Sequence, residues 1–356
     1  MNVTQLKILL AKNGAIVALI LLVIVFTMLN PRFVQPGNLI TIVLSMAEVG
    51  IIAIPLAYLV MSGSIDLSVG SVASLGSVVC GMVATGSGSI WLGILAGTAA
   101  GVVTGLVTGI LVEHLRLNPL VVTLGLLNVW AGLALFLTNG RTITGLPADS
   151  RAVAGFALFG VVPLPMLLLL IVTVAAWWVL NYRPFGRQLL AAGGNQRAAF
   201  LMGINVRSVR LRLFVLTGVA AAFAGALMTL KLQAGSPTTG QGLEFSALTV
   251  VLLGGVAVAG GAGRISGVIA GLLFVGVLRN GLVILGVSQF LQTMIVGLTL
   301  VVAISLDETL QRVLKSAWNS LAKQRTAQKT PEPQDADTDA STDTDAPADA
   351  AAPARS

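Results

Sequence analysis

Charge, cysteine and histidine are the scarce elements of this 356-residue chain. Charged side chains make up 10 % of it, against about 25 % in ordinary soluble domains. Of the 14 acids, seven lie between 330 and 356, which leaves residues 1–329 with 20 Lys/Arg, 7 Asp/Glu and a net +13. So few charges cannot cover the surface of a soluble protein, and with 56 % hydrophobic residues the composition implies a polytopic membrane protein. The lone Cys80 excludes an internal disulfide, and the lone His114 excludes a multi-histidine metal cluster. No metal site is expected. Basic residues scattered between apolar runs read as membrane topology rather than nucleic-acid binding.

Motifs for nucleotide chemistry are missing as well. A phosphate-cradling loop needs a lysine after a glycine, and none of the six lysines follows one. Gly254-Gly255 and Gly260-Gly261-x-Gly263 lie in an apolar setting with no strand pattern before them. Clustered nucleophiles, acids or metal ligands are equally absent, so no catalytic residue is assigned and the chain is not expected to be an enzyme.

What is present is a series of apolar runs. A helix needs about 20 apolar residues to cross a bilayer, and ten stretches qualify or nearly do: 13–30, 39–61, 67–86, 90–112, 119–138, 161–180, 212–232, 246–262, 266–286 and 289–306. The first resembles a signal peptide but lacks a small-x-small cleavage site, and it reads as an uncleaved span. The third begins at a polar break, and the eighth is short and glycine-rich. With the N-terminus inside and all ten crossing, 16 basic residues fall on the inner side and 4 on the outer, with Arg279 inside a span. That bias predicts an N-in, C-in topology. The expected fold is an all-α polytopic membrane helix bundle of about ten transmembrane helices. Residues 1–12 would be a cytoplasmic N-terminus, 13–307 the transmembrane domain and 308–356 a cytoplasmic tail. From 330 that tail is acidic, proline-bearing and of low complexity, and it is expected to be disordered.

Gly93, Gly97, Gly101, Gly105 and Gly109 recur every fourth residue, so a helix carries them along one face where a neighbouring backbone can approach closely. A charge at the centre of a membrane helix costs roughly 2.5–3.5 kcal/mol, which singles out Glu48, Asp66, Glu244 and Arg279. Glu48 is the one acid well inside a predicted span, thin material for ion coupling, and Arg279 is expected to pair with an acid or reach an interface. Ser62-Gly63-Ser64-Ile65-Asp66-Leu67-Ser68-Val69-Gly70 breaks the apolar pattern, as backbone does only where protein or a watery cavity surrounds it. Asp66 with Ser68 would cap the following helix or touch a substrate. Between 181 and 212, Gln196–Met202 reads as a short helix, preceded by Gly193-Gly194-Asn195 and stopped by Gly203. This basic loop is either a docking knob for a soluble partner or a consequence of topology alone.

Five stretches carry a family resemblance: SGSIDLSVGS (62–71), NPLVVTLGLLNVWAGLALFLTNGR (118–141), FGRQLLAAGGNQRAAFLMGINV (185–206), LLGGVAVAGGAGRISGVIAG (252–271) and RNGLVILGVSQFLQTMIVGLTLVVAISLD (279–307). In these the chain resembles the ten-helix permease subunits of bacterial ABC importers for monosaccharides, of the ribose/xylose/galactose type. In detail it looks most like the rhamnose/autoinducer-2 branch. The resemblance implies a multi-pass protein of the bacterial inner membrane that binds no cofactor itself. A cytoplasmic ABC ATPase would use ATP and Mg, and an extracytoplasmic sugar-binding protein would deliver the substrate. A second permease, a copy or a paralogue, would complete the pathway, and the lipid bilayer is the remaining contact. The family's docking segment maps onto Gly193, Gly194, Asn195, Ala198, Ala199, Gly203 and Ile204, which favours the coupling reading of the 181–212 loop. One departure is Ser64, where the family pattern usually has glycine.

A neutral, polyhydroxylated solute needs no counter-charge, in keeping with the few acids inside the spans. Asp66, Ser68, Ser71, Thr123, Asn128 and Asn280 are candidate pathway residues. The competing class is an autonomous ion-coupled carrier or channel, whose mark would be buried acids or broken helices at matching positions in two halves. Exchanging Gly203 for tryptophan is expected to abolish transport while membrane insertion, followed by immunoblot of isolated membranes, stays intact; unchanged uptake would remove the coupling assignment.

Overall fold

The structure, a computed structural model, describes residues 3–303 and residue 305. The helices in chain order are α1 (Val3–Leu29), α2 (Pro36–Ser45), α3 (Ala47–Met61), α4 (Val69–Ser87), α5 (Ile90–Glu113), α6 (Pro119–Thr138) and α7 (Asp149–Ala154). After a hairpin of two short antiparallel strands, β1 (Ala157–Leu158) and β2 (Val162–Pro163), come α8 (Leu164–Tyr182), α9 (Pro184–Gly194) and α10 (Gln196–Leu201). The chain continues with α11 (Val206–Leu232), α12 (Leu243–Leu253), α13 (Ile265–Ile284) and α14 (Gln289–Ala303). The fold is an all-α membrane bundle, as expected.

Among the described residues six helices, α4, α5, α6, α8, α11 and α13, are long and apolar enough to cross a membrane. The α2–α3 pair, bent by 49° at Met46, makes a seventh, and shorter apolar helices occupy Gly14–Leu29, Leu243–Leu253 and Gln289–Ala303. Every one of the ten expected apolar stretches holds one of these. The boundaries differ at several ends, and α1 and α11 begin early, at Val3 and Val206 rather than 13 and 212. The helix of the third stretch starts at Val69, after the polar break, and that of the sixth starts at Leu164, after the hairpin. In the eighth, helix stops at Leu253 rather than 262, because Gly255, Gly260 and Gly261 take the left-handed conformation that side-chain-bearing residues avoid. Eleven residues rise only about 16 Å, half the thickness of a hydrocarbon core, so α12 is a half-helix. The tail beyond 307 and its acidic portion lie outside the described residues.

Helices α4, α5 and α11 pack against one another most extensively. The glycine stripe of α5 is the reason. A Cβ on Gly97 would lie 2.7 Å from the Gly76 carbonyl of α4, and one on Gly105 would lie 2.6 Å from the Phe214 carbonyl of α11. The five glycines thus split into a groove for α4 (Gly93, Gly97) and a groove for α11 (Gly101, Gly105, Gly109). Lipid tails are as apolar as leucine, so this close dispersion contact, rather than escape from water, holds the helices. Helix α3 lies at the centre with every residue from Ala47 to Met61 buried, as an all-round apolar helix must be.

A Cβ at Gly225 would collide with the Ala73 carbonyl, whereas one at Gly125 meets nothing within 4 Å. Gly225→Leu is therefore expected to cost at least about 3 kcal/mol and to lose the monodisperse peak on size-exclusion in mild detergent. Gly125→Leu should elute as the parent does.

Candidate functional site

Three interruptions of helix meet at the basic end of the bundle. The 62–68 break follows α3, the 254–264 turn follows α12, and α9 ends at Gly194. They touch through bare backbone: Gly261 N–H donates to the Met61 carbonyl at 2.7 Å. A Cβ on Gly260 would lie 2.9 Å from Gly63 Cα, and one on Gly261 would lie 2.6 Å from Gly194 Cα. Gly193 packs so tightly that its Cβ would fall on the Met61 carbonyl. Only glycine satisfies both requirements here, the close approach and, at Gly63, Gly260 and Gly261, a positive φ.

Arg210, on the first turns of α11, clamps this knot. Its Nε and Nη2 donate to the Ser62 carbonyl at 2.9 and 2.7 Å, and its Nη1 stands 3.9 Å from Glu113 at the end of α5. The Gln196 amide, with its oxygen turned toward the guanidinium, accepts from Arg210 as well. One planar fork thereby ties the α3 break to α5, α10 and α11. Arginine suits the task because its donors are fixed in one plane and its charge is permanent.

Helix α10 begins with Asn195, whose Oδ1 accepts from Ala198 N–H at 3.0 Å, and ends at Gly203, with φ +79° and open space around it. A bulky residue at 203 would be strained by backbone conformation rather than by collision. Phe200, Leu201 and Met202 are 71, 78 and 80 % exposed, three consecutive apolar side chains between Arg197 and Arg207. Beside them a cleft of about 870 Å³ is lined by Glu113, Arg116, Gln196, Asn205, Arg207 and Arg210, among others. Of the expected docking residues, Gly194, Asn195, Ala198 and Gly203 are exposed, Ala199 is buried, Ile204 is half-buried and Gly193 lies within the glycine knot.

A second non-helical stretch, 233–242, precedes the half-helix α12 and runs along α4. Side chains of α4 satisfy its backbone: Ser77 Oγ accepts from Ser236 N–H at 3.2 Å and Ser74 Oγ from Gly240 N–H at 2.9 Å. The spacing of three places both hydroxyls on one face of α4. The two buried acids near the breaks serve helix starts. Asp66 accepts from the backbone and hydroxyl of Ser68 at 2.8 and 2.6 Å just before α4. Glu244, in the first turn of α12, accepts from Gly242 N–H at 3.2 Å. Negative charge is favoured at both positions. The positive φ of this turn falls on Gly63, not on Ser64, whose buried hydroxyl has no partner among the described residues.

The six candidate pathway residues do not form one wall. Asp66, Ser68 and Ser71 sit together at the 62–71 turn and are buried. Thr123 is buried in α6, Asn128 on the same helix is exposed, and Asn280 exchanges two 2.9 Å hydrogen bonds with Asn38. Glu48 forms a 3.0 Å ion pair with Lys231, which neutralises the acid that most suggested ion coupling. Arg279 donates to Ser246 Oγ at 2.8 Å, with no acid within ion-pair distance among the described residues. Sequence reasoning missed Arg210, Glu113, and Ser74 with Ser77; nothing local distinguishes Arg210 from the five other arginines between 183 and 212.

The family described as "Branched-chain amino acid transport system / permease component" matches residues 38–304. Among curated relatives, the ribose import permease protein of Bacillus subtilis is 39 % identical over 302 residues, covering 83 % of this chain and 92 % of that protein. The ribose import permease protein of Escherichia coli K12 is 32 % identical (85 % and 95 % covered), and the L-arabinose transport system permease protein of the same strain is 33 % identical (85 % and 92 %). No solved structure matches the chain.

Removing one partner of a buried charge pair costs about 3 kcal/mol or more, so Arg210→Met should lower the thermal midpoint of the purified protein clearly. Glu113→Gln added to it should restore part of the loss, since the stranded charge is then gone; a double variant no better than the single would exclude the ion pair as the cause.

Proposed function

This chain belongs to the family of branched-chain amino acid transport system permease components, and on that premise we propose how it works with its partners as the membrane subunit of a sugar ABC importer. It is a multi-pass permease of the inner membrane. The ATP and Mg are used by a separate cytoplasmic ATPase that docks on α10, and an extracytoplasmic binding protein hands over the solute. A second permease, of the same or a paralogous sequence, completes the pathway. Both termini lie inside, which puts α10 and its arginines on the ATPase's side. The solute is a neutral monosaccharide. The relatives named above for ribose and arabinose favour a pentose, and none of them is named for rhamnose or autoinducer-2.

The observation that supports docking is the Phe200-Leu201-Met202 knob. Apolar side chains this exposed between arginines suit neither lipid tails nor water, but they suit a protein pocket. Closure of the ATPase pair draws on α10. Through Asn195 and Gly194 the pull reaches Gly193, and from there the glycine contacts pass it to the 62–68 and 254–264 breaks. Arg210 keeps α11 and α5 in step with that movement. Rigid helices with loosely helical joints are what alternating access requires. Two broken segments also occur in ion-driven carriers, so the breaks do not separate the classes. The Glu48–Lys231 pair argues against a carrier, because a neutralised acid is a poor site for a proton or sodium ion.

Leu201→Asp is expected to leave the protein in the membrane at parental level while ATPase co-purification and sugar uptake fall by more than about tenfold, as for a central interface anchor. In proteoliposomes of the complex, uptake should need ATP and ignore a protonophore. Uptake by the chain alone, abolished by the protonophore, would establish the carrier instead.

A further inference from the structure

Among the described residues, cavities open at three places whose linings differ in kind. The cleft beside α10 is lined by three arginines and a glutamate, and suits a charged partner. A smaller one between α2, α8 and α13 is almost wholly aliphatic, as a lipid-facing groove is. The third, about 630 Å³, lies between the start of α12, the end of α13 and α14. Its lining includes Gln241, Phe245, Ser246, Arg279, Gln292 and Thr293. None of the six pathway residues read from the sequence lines it.

From this lining we infer that the third cavity is the station where a neutral monosaccharide rests on its way through the permease; the inference rests on the permease reading and names the site within it. The volume falls in the range of roughly 300–1,000 Å³ typical of small-molecule sites. Sugar hydroxyls are both donors and acceptors, and amide side chains answer them with both functions at once. Gln241 and Gln289, both on the lining, make no side-chain hydrogen bond to other described residues, so their amides are available to a guest. Gln292 uses its nitrogen on the Val287 carbonyl at 2.8 Å, which orients its oxygen as an acceptor. Arg279 spends one nitrogen on Ser246 and has no acid partner among the described residues. Its other donors can meet two neighbouring hydroxyl oxygens, as a planar fork does. Phe245, 49 % exposed at the cavity, offers the flat apolar surface that the C–H face of a sugar ring covers. The site is weak by construction, with one charged donor and otherwise neutral groups, and a transport site must release what it binds.

The test uses the complete complex in nanodiscs with its ATPase and binding protein. Cys80 is the only cysteine and is buried, so Cys80→Ala gives a background for single-cysteine labelling. Gln292→Cys should react with a hydrophilic maleimide, and D-ribose or L-arabinose supplied during turnover should slow the reaction by about threefold or more, as partial occupancy would. Val161→Cys, on the exposed hairpin, should label at one rate with and without sugar. Arg279→Leu should lower sugar uptake at least about tenfold, the scale of a lost charge-assisted hydrogen bond, while ATPase stimulation by the loaded binding protein persists. If Arg279→Leu does not fold, Thr293→Val, which removes only a hydroxyl, serves in its place. Labelling of Gln292→Cys indifferent to sugar in a complex that transports, undiminished uptake in Arg279→Leu, or protection by ribose 5-phosphate alone would overturn the assignment. Absence of ATP-driven uptake of any monosaccharide by the parent complex would overturn the permease reading itself.

Discussion

The carbonyl of Ser62 marks the end of α3, and two nitrogens of Arg210 hold it. A helix that stops inside a membrane bundle leaves carbonyls without their i+4 partners, and no water is at hand to take them. The guanidinium resolves that, and because it also faces Glu113 and Gln196 it makes the break part of a connected structure. Without it the 62–68 turn would need water or another helix turn in its place. Continued helix would displace Gly63 from Gly260 and separate α9 from the Met61 carbonyl. The coupling geometry therefore depends on how one backbone acceptor is satisfied.

The bundle divides its glycines between two duties. On α5 they let α4 and α11 approach until carbonyl oxygens occupy the space a Cβ would need, which makes a dense block with little freedom. At 63, 193, 260 and 261 they permit turns and backbone contact between loops, which can rearrange without unpacking side chains. A permease needs both properties, since force applied at α10 moves something useful only if the rest of the bundle transmits it rather than deforms. The serines of α4 belong to the same economy, for their hydroxyls take the backbone N–H groups of the turns in the 233–242 stretch beside a rigid helix.

Much of this could be read beforehand where the signal is local. The apolar runs fall where helices form, and α10 starts and stops within a residue of expectation because an asparagine cap and a left-handed glycine act on their immediate neighbours. The end of the eighth stretch was harder. Residues 254–262 are as apolar as the helix before them, so hydropathy runs on where the backbone turns away, and only the paired glycines hinted at it. The pathway residues show the opposite weakness. Serine, threonine and asparagine in a span suggest a polar wall, yet most of those selected bond within the protein, Asn280 with Asn38 and Asp66 with Ser68.

Composition and period alone determined that this chain is an all-α membrane protein, that a short capped helix lies within the basic segment 181–212, though not that α9 and the first turns of α11 fill most of the rest of it, and that α5 is a packing face. Each of these follows from free energies that add up along neighbouring residues. Tertiary structure decided what Arg210, Ser74 and Gly193 are for. Their partners lie 148 residues away at Ser62, 166 away at Gly240 and 68 away in the turn at Gly261. It also decided which polar groups face a cavity, since a helix of uniform hydropathy carries no mark of the side it turns to lipid, to protein or to a passing solute.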